Sequence, residues 1–174
     1  MLKLSSAALL GMGQSMMAEN VAKRSTKHIG SRENELGWMA QSLTRDKDRW
    51  KNLPKKPELW LKGAQLIADE TGVRVDFHTP YYAATIEDGE TTTVPTYALE
   101  SHVVCGAGDA WNAGDIYGSL LNLPPLERLS FANAVASLYV SSQSATHPQL
   151  SDIVKFLESS PLLSGDGKKL LKVQ

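Results

Sequence analysis

The most constraining feature of this sequence is a dipeptide. Asp88-Gly89 separates two runs rich in β-branched and aromatic residues, YYAATIE and ETTTVPTY. A two-residue Asp-Gly connection favours a type I′ turn, whose twist matches that of antiparallel strands. Residues 81–97 therefore predict a β-hairpin. The stretch just before it, VRVDFHT, alternates apolar and polar residues and predicts another strand.

Helical patterns flank these strands. Residues 5–27 read as a helix ended by Gly30. In SRENELGWMAQSL, Ser31 is the expected N-cap, Asn34 and Glu35 fall in the first turn, and Leu36, Met39, Ala40 and Leu43 form a stripe. The polar, proline-containing TRDKDRWKNLPKKPE reads as a loop. PELWLKGAQLIADETG predicts a helix with Gly72 as its C-cap. Further helices are expected over about 109–121, within 123–145, and over 150–159 with Ser151 as cap. Strands interleaved with helices predict a layered α/β domain.

Composition narrows the class. The chain has 174 residues, a net charge of -1, 42% hydrophobic and 21% charged residues. That suits a globular domain and leaves no basic footprint for nucleic acid. A single cysteine, Cys105, forms no intrachain disulfide and fits a reducing, cytoplasmic setting. No apolar run reaches the roughly 20 residues that span a bilayer. The start, MLKLSSAALLGMG, reads as a packed helix rather than a signal peptide.

The segment VVCGAGDAWNAG, Val103–Gly114, carries the chemistry. Glycines let backbone approach a ligand closely. If a helix begins near Ala107, its first N–H groups lack partners and point outward together, with the helix dipole behind them. Such a site suits a phosphoryl group. Asp109 beside it could take a proton from an attacking hydroxyl. On spacing alone, a helix N-cap is the stronger reading of Asp109. The segment lacks the third glycine of a dinucleotide fingerprint and the Gly-Lys-Ser/Thr of a Walker A loop.

CGAGDAWNAG closely resembles the signature of the ribokinase-like (PfkB) sugar and nucleoside kinases, D-T-T-G-A-G-D-A-F-x-A-G. The matching residues are Gly106, Ala107, Gly108, Asp109, Ala110, Ala113 and Gly114, with Trp111 in place of Phe. The preceding HTP, EDGE and VPTY segments, the later FANAVASLYVSSQSA and the earlier RENELGWMA extend the likeness over about residues 31–158. The resemblance implies a ribokinase-like α/β/α fold, present as its carboxy-terminal, nucleotide-side part over 31–174, after an amino-terminal helical segment, 1–30. It implies an ATP-dependent phosphotransferase acting on the hydroxymethyl group of a sugar or nucleoside-like substrate, with Mg2+. Asp109 would be the base and Gly106, Ala107 and Gly108 the anion hole. Glu35 would hold magnesium through water, Asn133 would lie by the adenine and Thr79 by the phosphates.

Departures from the pattern are specific. Val103-Val104-Cys105 stands where the family has Asp-Thr-Thr, so a potassium requirement does not carry over. Arg32 replaces the Asn of the family N-x-x-E, which weakens the magnesium inference, and Pro80 stands where many members have Gly, which leaves phosphate contacts there open. Members are nearly twice as long, their other half supplying most of the sheet, the lid and the sugar contacts. A truncated, non-catalytic nucleotide-binding or oligomerisation module is therefore the rival reading, and self-association into a homo-oligomer stays open. Among other residues, Cys105 is expected to be small and buried, Trp111 to pack under the site and His78 to be structural. Tyr81-Tyr82 is expected to line a nucleotide or close the sheet, while Glu35 and Asn133 are otherwise an exposed helix carboxylate and a packing amide.

Overall fold

The structure, a computed structural model, describes residues 28–44, 47–159 and 161–173. The helix expected over 5–27 lies outside them. The described residues form two compact units, one from 28–95 with 164–173 and one from 96–163.

The first unit is α/β. Strand β1 (His28–Arg32) is followed by helices α1 (Glu33–Leu43) and α2 (Lys47–Trp50), two 3-10 turns (Leu53–Lys55 and Pro57–Leu59) and α3 (Trp60–Thr71). Strands β2 (Arg74–His78), β3 (Tyr82–Glu87) and β4 (Glu90–Pro95) complete a sheet ordered β1-β2-β3-β4. β1 runs parallel to β2, and the other pairs are antiparallel. The hairpin is as expected: Glu87 faces Glu90, and Asp88 and Gly89 both take positive φ, 51° and 78°. Gly72 also ends α3 as expected, in the left-handed conformation at φ 64°.

Register explains this core. Val75 pairs with Ile86 and Phe77 with Ala84, so these four point to one face. There they meet Leu36 and Ala40 of α1 and Trp60, Ala64 and Ile67 of α3. Full burial of each large side chain is worth about 1.5–3 kcal/mol. Helix α7 (Gly165–Val173) adds Leu170 and Leu171 to the same cluster.

Two expectations are corrected here, and one helix adds to them. Ser31 is not an N-cap; it lies buried in β1, opposite Phe77, and Arg32 caps α1. A five-residue strand with one strong β-former forms because β2 offers a parallel partner. The segment 44–58 is not a plain loop. Trp50 and Leu53 are buried, and the Trp60 indole N–H donates to the Leu53 carbonyl at 3.0 Å, folding the segment onto α3. Helix α7 had no forecast, since two glycines weaken its local propensity.

The second unit is helical: α4 (Ala107–Leu120), α5 (Pro125–Ser141) and α6 (Leu150–Glu158). Helix α6 is capped by Gln149 rather than Ser151, and Asp152 accepts the Gln149 N–H at 3.1 Å. Helices α4 and α5 pack closely because Gly114 lacks a side chain. A Cβ there would lie 2.9 Å from the Ala132 Cα. Further along the same interface Asp115 and Arg128 form a buried ion pair, and Tyr117 stacks on Phe131 with centroids 5.6 Å apart.

Candidate active site

The first turn of α4 is built by its neighbours in the helical unit. The N–H groups of His102 and Val103 both donate to the Val140 carbonyl, at 2.7 and 3.1 Å. The Tyr139 hydroxyl donates to the Cys105 carbonyl at 2.9 Å. These bonds pin the strand-like approach to the end of α5. Gly106 then turns the chain with φ 86°, a left-handed conformation that favours glycine. A Cβ there would also meet the Tyr139 hydroxyl at 2.5 Å.

The turn leaves amides free. The first regular helical bond runs from Ala110 N–H to the Gly106 carbonyl at 2.9 Å. Ala107 N–H reaches the Val104 carbonyl only at 3.3 Å. The Gly108 and Asp109 N–H groups have no acceptor among the described residues. The expected set is Gly106, Ala107 and Gly108; of these the Gly108 N–H is without an acceptor among the described residues, Ala107 is bonded to Val104, and the helix starts at Ala107 rather than 109. Asp109 is not its N-cap. Gly106 occupies that position, and the Asp109 side chain stands exposed in the first turn, without an ion pair or hydrogen bond among the described residues. An anion placed before this turn would meet two N–H groups, the positive end of a 14-residue helix and a carboxylate alongside.

Behind the turn, Trp111 is buried as expected, and its indole N–H donates to the Asn133 side-chain carbonyl at 2.9 Å. Asn133 is itself 1% exposed, so its side-chain oxygen is engaged in helix packing. Cys105 is exposed, against expectation. Its main-chain carbonyl, rather than its thiol, makes the contact to α5, which leaves the thiol outside. Tyr139 was not foreseen at all. It lies 33 residues beyond Gly106, and only the folded chain brings its hydroxyl to the loop.

The remaining candidates belong to the α/β unit. Glu35 is exposed on α1, and one of its carboxylate oxygens accepts the Arg32 N–H at 2.8 Å. Thr79 is buried after β2. Its hydroxyl donates to the Tyr82 carbonyl at 2.9 Å and accepts the N–H groups of Tyr81 and Tyr82 at 3.2 and 3.0 Å. The threonine thus closes the tight link between β2 and β3. Of the aromatic pair, Tyr82 is fully buried against Phe77, and Tyr81 stacks on Trp60 with centroids 6.2 Å apart. Burial, with Arg32 as a lesser cause, lowers the His78 imidazole to about 4. In the helical unit burial raises the Tyr97 phenol to about 12, while a hydrogen bond with the Ser130 side chain pulls the other way. The described residues contain no group of three or more His, Cys, Asp or Glu placed to hold a metal. None of their helices is long and apolar enough to cross a membrane.

No family model matches the sequence, and no curated protein matches it. Solved structures do. A ribokinase from Thermotoga maritima superposes with a TM-score of 0.56 at 19% identity, over 75% of this chain and 42% of its own. An Escherichia coli protein assigned as a ribokinase II, in complex with ATP and Mg2+, gives 0.57 at 19%, over 87% and 45%. A fructokinase from Vibrio cholerae bound to fructose, ADP and calcium gives 0.57 at 20%, over 82% and 43%. The chain spans less than half the length of these proteins. Helices around a mixed sheet, matched by one group of kinase structures after another, identify the fold of this chain as ribokinase-like, present in part.

Proposed function

We propose that this chain is the nucleotide-side part, over 31–174, of a PfkB-type kinase that moves the γ-phosphoryl group of ATP to a hydroxymethyl group of a sugar or related molecule. One observation carries the reading: among the described residues, an exposed, unbonded Asp109 carboxylate shares a helical turn with two N–H groups that lack acceptors. The neighbours solved with ATP and Mg2+, and with fructose and ADP, support the donor and the acceptor class.

The chemistry needs few parts. The acceptor oxygen attacks the γ-phosphorus as the bond to the β–γ bridging oxygen breaks, and ADP leaves. Asp109 takes the hydroxyl proton. The amides around Gly106, Ala107, Gly108 and Asp109 face the charge spread over the equatorial oxygens. Magnesium, if bound, would neutralise phosphate charge, and Glu35 is the residue that the family resemblance would give it through water. The resemblance would put Thr79 near the phosphates and Asn133 near the adenine; the Thr79 hydroxyl closes the β2–β3 turn and the Asn133 side chain accepts the Trp111 indole N–H.

The test is Asp109→Asn, assayed for ADP formation with a sugar panel that includes fructose. Loss of a general base predicts a rate about 10^3-fold lower. An unchanged rate sinks the assignment. The chain spans less than half the length of its solved neighbours, which favours one rival: a nucleotide-binding module that does not turn over. Calorimetry separates the two. Heat with ATP and none with any sugar supports the module; heat with both supports the kinase.

A further inference from the structure

Resting on the reading of the α4 turn as a phosphate site, we propose that Tyr139 is a positioning residue for that site. Its hydroxyl holds the Gly106 turn in the one conformation that frees the amides.

Three observations place it there. The hydroxyl donates to the Cys105 carbonyl at 2.9 Å, one residue before the turn. It also fills the space that a side chain at Gly106 would need, 2.5 Å from an ideal Cβ. The ring itself is fixed. Tyr139 is 7% exposed, belongs to the α4–α5–α6 core and is stacked against His147 with centroids 4.7 Å apart. A rigid phenol therefore clamps a peptide that would otherwise rotate. If the Cys105–Gly106 peptide turned, the φ of 86° would relax and the N–H groups of the first turn would lose their common direction. Preorganised donors are worth more than donors that must be ordered on binding. The ligand class is a phosphate ester or polyphosphate, and the contribution of Tyr139 is made through the backbone of Cys105 and Gly106, without contact to the ligand.

The experiment uses the full chain with two probes, ATP and inorganic tripolyphosphate. Tyr139→Phe keeps the packed ring and deletes the bond. Expected are affinities for both probes about 3- to 10-fold weaker, the loss of one ordinary hydrogen bond. Faster amide hydrogen exchange should be confined to 105–109, with the rest of α4 and α5 unchanged. A purely structural tyrosine would loosen α5 instead and leave the probes alone. Gly106→Ala, in the wild-type and in the Tyr139→Phe background, gives the second readout. The collision with the hydroxyl exists only in the first, so the two substitutions must weaken binding by less than the product of their separate effects. Binding that persists at wild-type strength in Tyr139→Phe overturns the positioning role alone. A wild-type chain that binds neither probe overturns the phosphate site and this role with it.

Discussion

Helix α4 carries two aspartates six residues apart, and they do opposite things. Asp109, in the first turn, is exposed and has no partner among the described residues. Asp115 is 2% exposed and paired with Arg128 of α5. Residue type is the same, and so is the helix. The difference lies in what the facing helix offers. Opposite Asp115, α5 presents a guanidinium, and the closed interface makes an unpaired charge costly. Around Asp109 the described residues offer no ion pair and no hydrogen bond to the side chain, so its lone pairs are left for the proposed chemistry. A buried pair fixes how two helices meet; an exposed acid is compatible with the proposed role of Asp109.

The contrast breaks most readily at the buried end. Asp115→Asn keeps the shape and leaves Arg128 buried without its counter-charge. Removing one partner of such a pair costs about 3–5 kcal/mol. Urea unfolding of the chain should show it, and a loss below about 1 kcal/mol would mean that solvent reaches Arg128. Replacing both residues with apolar ones of similar volume should recover much of the loss.

A second buried group sharpens the comparison in the α/β unit. His78 titrates at about 4 when folded, against 6.5 when unfolded. Between those values the unfolded chain binds the proton and the folded chain does not. Stability therefore falls as pH drops from about 6.5 to about 4, by up to about 3 kcal/mol. His78→Gln should flatten that slope while leaving the neighbouring carboxylates to titrate. An unchanged slope would show that burial of the imidazole is not its source.

Next in size is Gly114→Ala. Its new methyl would sit 2.9 Å from the Ala132 Cα, and backbone cannot step aside as a side-chain tip can. The expected cost is about 1–3 kcal/mol by overpacking, partly offset by the higher helix propensity of Ala. A stabilised variant would mean that α4 and α5 separate more readily than their contact suggests.

How much of this was legible beforehand depends on the range of the cause. Asp88-Gly89 and Gly72 state their conformations locally, and both turns are where the sequence puts them. The motif from Gly106 to Gly114 likewise announces a helix start with bare backbone. Long-range causes were invisible. Strand β1 exists through its pairing with β2, and the 44–58 segment folds because Trp50 and Leu53 reach the core and Trp60 reaches Leu53. Helix α7 is held by Leu170 and Leu171 against a cluster whose buried members all lie in residues 36–86. Within the candidate site, spacing alone favours Asp109 as a cap, a position that Gly106 holds, while the helix start and its bare backbone could be read from the local sequence. Tyr139 could not, because a hydroxyl serving a carbonyl 34 residues away leaves no pattern in the chain. Cys105 was misjudged for a related reason: the side of the loop that faces α5 is main chain, so the character of the side chain was no guide.

The smallest stability effect tests the other end of α4. Asp109→Asn should change unfolding free energy within about 0.5 kcal/mol, as exposed substitutions do. A small loss is expected, since an acid in the first turn is attracted by the positive end of the helix dipole. ATP binding should hold or tighten a few-fold, because a carboxylate beside a polyphosphate repels it and the amide does not. These two near-neutral results, set beside the large cost at Asp115, separate the roles. Should Asp109→Asn destabilise the chain as much as Asp115→Asn, the first-turn acid is holding structure, and the proton it is proposed to accept would need another home.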